Sequence, residues 1–385
     1  MSVTAAKGFT AAGVAAGIKA SGRPDLALVV NTGPEAHAAG VFTSNKFTAA
    51  PVKWSQAAVA SGRLAAVVLN SGGANACTGD AGYADTVQTA EWVAAEIGCD
   101  AQDVAVCSTG LIGVRLPMDA VLAGVQTAAQ DLSKAGGPAA AAAIMTTDTV
   151  SKESIHTSPS GWTIGGMAKG AGMLAPALAT MLVVITTDAQ LTAADLDAAL
   201  RTATGLTFDR TDSDGCMSTN DTVLLLASGA AEVVPDVGEF TTALTGVCAD
   251  LATQLLADAE GAAHDIEIVV SGAATEADAL AVGRAIARSN LFKCAIFGND
   301  PNWGRVLASA GTVPADYDPE KVDVAFNGVG VFVNGQLGAD RSEVDLTAGR
   351  KVLVEVNLHA GEAAATIWTN DLTYDYVKEN AEYSS

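Results

Sequence analysis

Short apolar runs of strand length alternate with stretches of helical spacing along the whole chain. That alternation favours layered α/β or α+β architectures over helical bundles and pure sandwiches. LALVV at 26–30, followed by Asn31, reads as an early strand, and a hairpin-like region is expected from VFTSN through PVKWS. LAAVVL at 64–69 is a strand that runs into the polar, glycine-rich turn of residues 70–77. The spacing predicts a helix over 84–97, a short strand over 104–108 ending at Thr109-Gly110, and a helix over 117–130. A Gly/Pro break at 136–138 and an alanine-rich approach then lead to Met145-Thr146-Thr147-Asp148-Thr149.

After Thr180 an apolar strand continues to Thr187, and Thr192-Ala193-Ala194-Asp195 resembles the capping signal of a following helix. Val223–Leu226 is expected as a strand, and Phe240–Ala259 as a long helix that stops at Glu260-Gly261. A strand at 266–270, a helix at 275–289, a strand at 293–297 and extended segments at 321–327 and 351–358 make a βαβββ-like C-terminal portion. A chain of 385 residues has room for two or three packed units. No tandem repeat is apparent.

Charge narrows the partners. Lys and Arg total 21 against 43 Asp and Glu, a formal net charge of -22, which repels polyphosphate and anionic membrane surfaces. Nucleic acid and membranes are therefore not expected partners, whereas a local pocket can still accept a small anion. The N-terminal segment is apolar, but its glycines and Lys19 interrupt any signal-peptide core, and no 18-residue apolar run occurs. The six cysteines form no CxxC, and with four histidines no metal spacing emerges, so reduced thiols, mostly buried or local, and a cytoplasmic location are expected.

Several polar clusters follow apolar strands directly, where site edges are commonly built. The N–H groups around Cys107-Ser108-Thr109-Gly110 are placed to hold an oxyanion, or they form an ordinary strand-to-loop turn. Lys169, flanked by glycines, either reaches a substrate carboxylate or faces solvent. Glu260 near a helix C-terminus gains nothing from the dipole, so it meets a substrate ammonium or is simply solvated. His156, His264 and His359 lack patterned acid and nucleophile partners, which argues against a Ser/His/Asp triad. The absence of GxGxxG and GxxxxGK[ST] disfavours a nucleotide enzyme. The segment Phe297–Arg305 reads as turn formers around an aromatic, and residues 380–385 as a frayed tail. Thr180 lies between a Gly/Pro/Ala loop and an apolar strand. It is either a β-branched strand residue or a nucleophile that cuts its own bond to Ala179 and uses the freed amine as base.

The motifs NSGGANACTG, CSTGLIG, IMTTDT, GGMAKGAGM, LATMLVVITTDA, STNDTV, FGNDPNWGRV and DLTYDYVKENAEYSS span almost the whole chain in order. With them the chain resembles the ArgJ-type ornithine acetyltransferases, the glutamate N-acetyltransferase/amino-acid acetyltransferase family. The resemblance implies a layered αββα sandwich like that of N-terminal nucleophile enzymes over 1–260, with a smaller α/β domain over 261–385. It implies cleavage between Ala179 and Thr180 into chains 1–179 and 180–385, assembled as an α2β2 heterotetramer. Oxyanion donors fall on Thr109 and Gly110, and substrate-binding positions on Thr146, Lys169, Thr180, Glu260, Asn380 and Ser385. The implied reaction moves an acetyl group from N2-acetyl-L-ornithine to L-glutamate through acetyl-Thr180, in arginine biosynthesis. No cofactor is required, and some members accept acetyl-CoA as donor. Many members carry His-Pro-Asn-Met where this chain has Ala175-Pro176-Ala177-Leu178. An amidase or aminopeptidase of the same self-cleaving design, with water in place of glutamate, and a binding protein on the same scaffold are the alternatives that assays of chain cleavage and acetyl exchange separate.

Overall fold

The computed structural model describes residues 2–173 and 181–382. From the N-terminus come β1 (Phe9–Val14), β2 (Leu26–Asn31), β3 (His37–Phe42), α1 (Ala50–Val59), β4 (Ala66–Gly73) and α2 (Gly79–Ile97). Next are β5 (Val104–Leu111), α3 (Met118–Gln130), α4 (Gly137–Ala143), β6 (Lys152–Thr157) and β7 (Thr163–Lys169). They are followed by β8 (Leu182–Thr187), α5 (Ala193–Leu206), β9 (Thr222–Ala227) and α6 (Val237–Ala257). The C-terminal part holds β10 (Asp265–Ala273), α7 (Glu276–Ala287), α8 (Asn290–Phe297), α9 (Trp303–Ala310), β11 (Asp323–Phe326) and β12 (Val329–Val333). It ends with β13 (Gln336–Leu337), β14 (Lys351–Asn357), β15 (Ala363–Asn370) and α10 (Tyr374–Glu382).

The described strands form three sheets, ordered β1-β2-β4-β5, β3-β9-β8-β7-β6 and β13-β12-β11-β14-β10-β15. Strands buried on both faces need continuous apolar runs, and the first two sheets use them that way. Ala27, Val29, Val67 and Leu69 of the first sheet share a cluster with Leu182, Val184, Leu224 and Leu226 of the second. The alternate residues Leu26, Leu28, Ala66 and Val68 pack with Val93 of α2 and with Val121 and Val125 of α3. On the far side, Val183, Ile185, Val223 and Leu225 meet Leu196 and Leu200 of α5 and Phe240, Leu244 and Leu251 of α6. Each fully buried Val or Leu contributes about 1.5–3 kcal/mol of transfer free energy, so a one-residue slip in any of these strands is strongly opposed. The third sheet packs one face on α7, α8 and α9 through Ile266, Ile268, Val282, Phe292 and Val306.

Several expected elements differ. The region from VFTSN to PVKWS is not a hairpin: β3 pairs with β9 in the second sheet, and Pro51 sits in the first turn of α1, where its missing N–H costs nothing. Residues 293–297 are helical because the Ser289 hydroxyl caps the Phe292 N–H, and Phe292 and Ile296 fall four apart on one buried side. Within the turn-former segment, Asn302 caps Arg305 N and starts α9. The break at 136–138 opens α4 with Pro138 in its first turn. The strands β1, β6, β7, β12, β13 and β15 lie outside the predicted elements. The tail to Glu382 is helical in α10 rather than frayed. α6 is long and apolar enough to cross a membrane by length and composition. Asp236 caps it, so the helix begins at Val237, three residues before the predicted start, and its apolar side is the one packed on the second sheet. All six cysteines are free, and only Cys107 and Cys248 are buried, so the expectation of burial holds for those two alone.

Candidate active site

The first and second sheets meet at one end of their shared core, where β5 delivers Thr109 and Gly110 and β7 delivers Lys169. β5 runs parallel to β4, with Ser71 opposite Thr109 and Gly72 opposite Gly110, and the register shifts at Gly73. Gly110 has φ +127°, and a Cβ there would lie 2.6 Å from the Gly72 carbonyl carbon and the Gly73 nitrogen. Only glycine can take this conformation at this approach. The motif residues behind the turn are tied down: Ser108 Oγ donates to Asn70 Oδ1 at 2.6 Å, and Asn70 Nδ2 donates to the Gly73 carbonyl at 2.9 Å. Across the core, Asn220 Nδ2 donates to the carbonyls of Ala74 at 2.6 Å and Ser108 at 2.8 Å, holding the second sheet to this strand end.

Lys169 is 1% exposed, so it does not face solvent. Its Nζ donates to Thr146 Oγ1 at 2.8 Å and to Thr109 Oγ1 at 3.3 Å, and lies 3.9 Å from Asp148 Oδ2. Burial pulls the pKa of this ammonium down, against the opposing charges of Asp148, Asp221 and Glu260. Burial alone would raise Asp148, but Lys169, Lys152 and the Gly170 N–H outweigh it and hold the carboxyl at about 2. Asp148 Oδ2 also accepts the Thr146 N–H at 2.9 Å, and its Oδ1 accepts Gly170 N at 2.6 Å and Lys152 Nζ at 2.7 Å. Lys152 is in turn shared with Asp258 Oδ2 at 2.6 Å. One buried carboxylate thus orders both the Thr146 loop and the end of β7.

A hydroxyl has one proton to donate and accepts through its lone pairs. Because Thr109 Oγ1 and Thr146 Oγ1 accept from an ammonium, their own protons are directed elsewhere and are made more acidic. That suits donation to a developing negative charge.

Glu260 stands at the other rim. Its N–H donates to the Ala171 carbonyl at 3.0 Å, and a Cβ on Gly172 would come within 2.7 Å of its Oε2. Asn380 Nδ2 on α10 donates to that Oε2 at 3.1 Å, and a Cβ on Gly261 would collide with the backbone nitrogen of Tyr376. Close packing of α10 on the turn at 261 brings Asn380 to the site. A cavity of about 1500 Å³ opens between these groups, and its lining includes Gly110, Thr146, Glu260 and Asn380. A second cavity of about 420 Å³ beside α1, β3 and α5 contains none of them.

Of the residues singled out in the sequence, Thr109, Gly110, Thr146, Lys169, Glu260 and Asn380 are brought together. Ala179, Thr180 and Ser385 lie outside the described residues, as does the 175–178 departure. The strand following Thr180 is anchored by a residue the sequence reading did not single out: Asp221 Oδ1 accepts the Met181 N–H at 3.0 Å. Burial pushes this carboxyl well above the usual range, over the opposing pull of the Met181 N–H, Ser218 and Lys169. Asp148, too, was only a letter of the IMTTDT motif. Its side chain reaches back to the Thr146 N–H and across to Gly170, and its pairing with two lysines is not readable from spacing.

A model of the ArgJ family matches residues 10–385. The arginine biosynthesis bifunctional protein ArgJ of Streptomyces coelicolor is 64% identical over 385 residues, with 100% of both chains covered. The protein of the same description from Thermobifida fusca is 60% identical, again over 100% of both chains. Among solved structures, ornithine acetyltransferase from Mycobacterium tuberculosis, complexed with ornithine, is 58% identical, covers 47% of this chain and 96% of that one, and has a TM-score of 0.45.

Proposed function

Because this chain belongs to the ArgJ family, we propose that it transfers an acetyl group from N2-acetyl-L-ornithine to L-glutamate, giving L-ornithine and N-acetyl-L-glutamate for arginine biosynthesis. The observation that carries the chemistry is the buried Lys169 ammonium donating to the hydroxyls of Thr109 and Thr146 beside the cavity. Those hydroxyls are left to donate outward, and with the Gly110 N–H the Thr109 hydroxyl stabilises a tetrahedral oxyanion in a site already organised before substrate binds.

In this reading the nucleophile is Thr180. Its Oγ attacks the Ala179 carbonyl, the acyl group shifts from N to O, and water opens the ester to give chains 1–179 and 180–385. The freed α-amine, with an ordinary pKa of about 7.7–8.0, then takes the Oγ proton near neutral pH. Thr180 Oγ adds to the acetyl carbonyl of acetylornithine, the tetrahedral intermediate collapses, and the amine proton leaves with ornithine. Glutamate's amine attacks the acetyl-Thr180 ester and regenerates the hydroxyl. Glu260, oriented by Asn380, pairs with the ornithine ammonium, and Ser385 closes the pocket from the tail. Asp221 supports this by fixing the peptide N–H next to Thr180. Lys169 acts through Thr109 and Thr146 rather than on a substrate carboxylate, because its ammonium is already committed to those hydroxyls and Asp148.

Two packed sheets with helices on their outer faces support an αββα architecture of the N-terminal nucleophile type over 1–260, with 261–385 as a smaller domain. An α2β2 assembly acting in the cytoplasm, where six free thiols stay reduced, completes the proposal. Acetyl-CoA is a candidate second donor. Intact-mass analysis of the denatured protein tests the maturation, with two masses meeting at Ala179/Thr180 expected. Ornithine release from acetylornithine, measured with and without glutamate, tests the reaction. A single full-length mass, or release that does not depend on glutamate, overturns the corresponding half.

A further inference from the structure

Lys19, which in the sequence only interrupts an apolar stretch, lines the same cavity as Glu260 and Asn380. Its placement is built rather than incidental. Asp25, fully buried, accepts the backbone N–H groups of Ala16 at 2.6 Å, Ile18 at 2.7 Å and Lys19 at 2.8 Å, which locks the loop that carries it. The Lys19 side chain lies over the strand end bearing the oxyanion donors: a Cβ on Gly72 would be 3.0 Å from its Cγ, and Gly72 is the partner of Gly110. Its Nζ donates to the carbonyls of Met145 at 2.5 Å and Pro24 at 3.1 Å, so one of its three N–H donors remains. Half-burial pulls the pKa of this ammonium down, while Asp25 and Asp148 support the charge and Lys169 opposes it.

The charges around the cavity make this donor matter. Asp148 and Asp258 are balanced by Lys152 and Lys169 together, and Lys169 is further committed to Thr109 and Thr146. The other acidic groups of the lining are Glu260, Asp375, Glu379 and Glu382, which suit a basic amino acid and repel an acidic one. The cations of the lining are Lys19 and Arg23, of which Arg23 is exposed and Lys19 half-buried. We infer that Lys19 determines acceptance of the acidic substrate, its free N–H pairing with the side-chain carboxylate of the acceptor amino acid as Glu260 pairs with the ammonium of the basic one. One pocket then serves two substrates of opposite side-chain charge because it carries a separate counter-charge for each.

This inference rests on the acetyl-transfer reading, and the experiment separates the two. Wild type and Lys19→Met are acetylated from N-acetylornithine, and transfer is measured to glutamate and, as an exchange reaction, to isotopically labelled ornithine. Lys19→Met is expected to raise the KM for glutamate about 10- to 100-fold, the loss of one charge-assisted hydrogen bond, with kcat changed less. Exchange with ornithine should stay within about twofold, and Lys19→Arg should recover most of the glutamate affinity. Intact mass and a thermal midpoint establish that the variants are processed and folded. Equal weakening of both acceptors would make Lys19 a partner of the shared α-carboxylate or a structural residue, and no change in either would remove it from the site; both results overturn the inference. Wild-type protein that transfers to neither acceptor overturns the acetyl-transfer reading itself, and the role of Lys19 with it.

Discussion

Replacing Lys169 by Met removes the buried ammonium while keeping the length and volume of the side chain. The charge sits 3.3 Å from Thr109 Oγ1, and an oxyanion bound by that hydroxyl would be about 2.7 Å further on, so charge and oxyanion are separated by about 6 Å. At an effective dielectric of about 20 the interaction is worth about 3 kcal/mol, or about 10²-fold in rate, because the negative charge exists only in the transition state. The fold should tolerate the change. Asp148 keeps Lys152 at 2.7 Å and the N–H groups of Thr146 and Gly170 at 2.9 and 2.6 Å, so no carboxylate is stranded, and stability should change by no more than about 2 kcal/mol. The assay is single-turnover formation of the acetyl-enzyme by intact mass, combined with kcat and KM for acetylornithine and glutamate. A fall in kcat of about 10²-fold at little-changed KM is expected. A kcat within about threefold of wild type, with KM raised for both substrates, would refute the polarising role and return Lys169 to carboxylate binding.

Gly110→Ala forces a Cβ to within 2.6 Å of the Gly72–Gly73 backbone at φ +127°. A loss of more than about 3 kcal/mol is expected, read as a lower denaturant midpoint together with lost turnover; an unchanged midpoint would mean that the turn opens without cost. Asp148→Asn tests linkage. The folded-state pKa of Asp148 is depressed from 3.8 to about 2, so its contribution of about 2 kcal/mol is fully present above the unfolded value and is lost as pH falls through the folded one. The stability gap between wild type and Asp148→Asn should therefore be constant from about pH 5 to 7 and shrink from about pH 4 towards pH 2, and a gap that does not vary with pH would contradict the assignment.

Much of the core was legible because its causes are local. LALVV and LAAVVL are apolar at every position and the strand after Thr180 is apolar from Met181 to Ile185, a pattern that suits strands covered on both faces, and Thr192 caps α5 within three residues. A run such as Lys293–Phe297 was not legible in the same way. Five mostly apolar residues fit a buried strand or a buried helix equally, and the choice fell to the Ser289 cap and to the layer that Phe292 and Ile296 cover. Pro51 and Pro138 read as breaks, yet each sits in the first turn of a helix.

By itself the sequence determined the alternation of elements, the apolar faces of the two sheets, the glycine at the oxyanion turn and, through its motifs, the family and its reaction. Only the tertiary structure decided which charges meet: Lys169 with Thr109 across two sheets, Glu260 with Asn380 across α6 and α10, and Lys19 with the cavity through Asp25. The physical reason is range. Propensity, capping and periodicity act over a few residues, whereas the net burial and pairing of a charge depend on what packing brings to it from elsewhere in the chain.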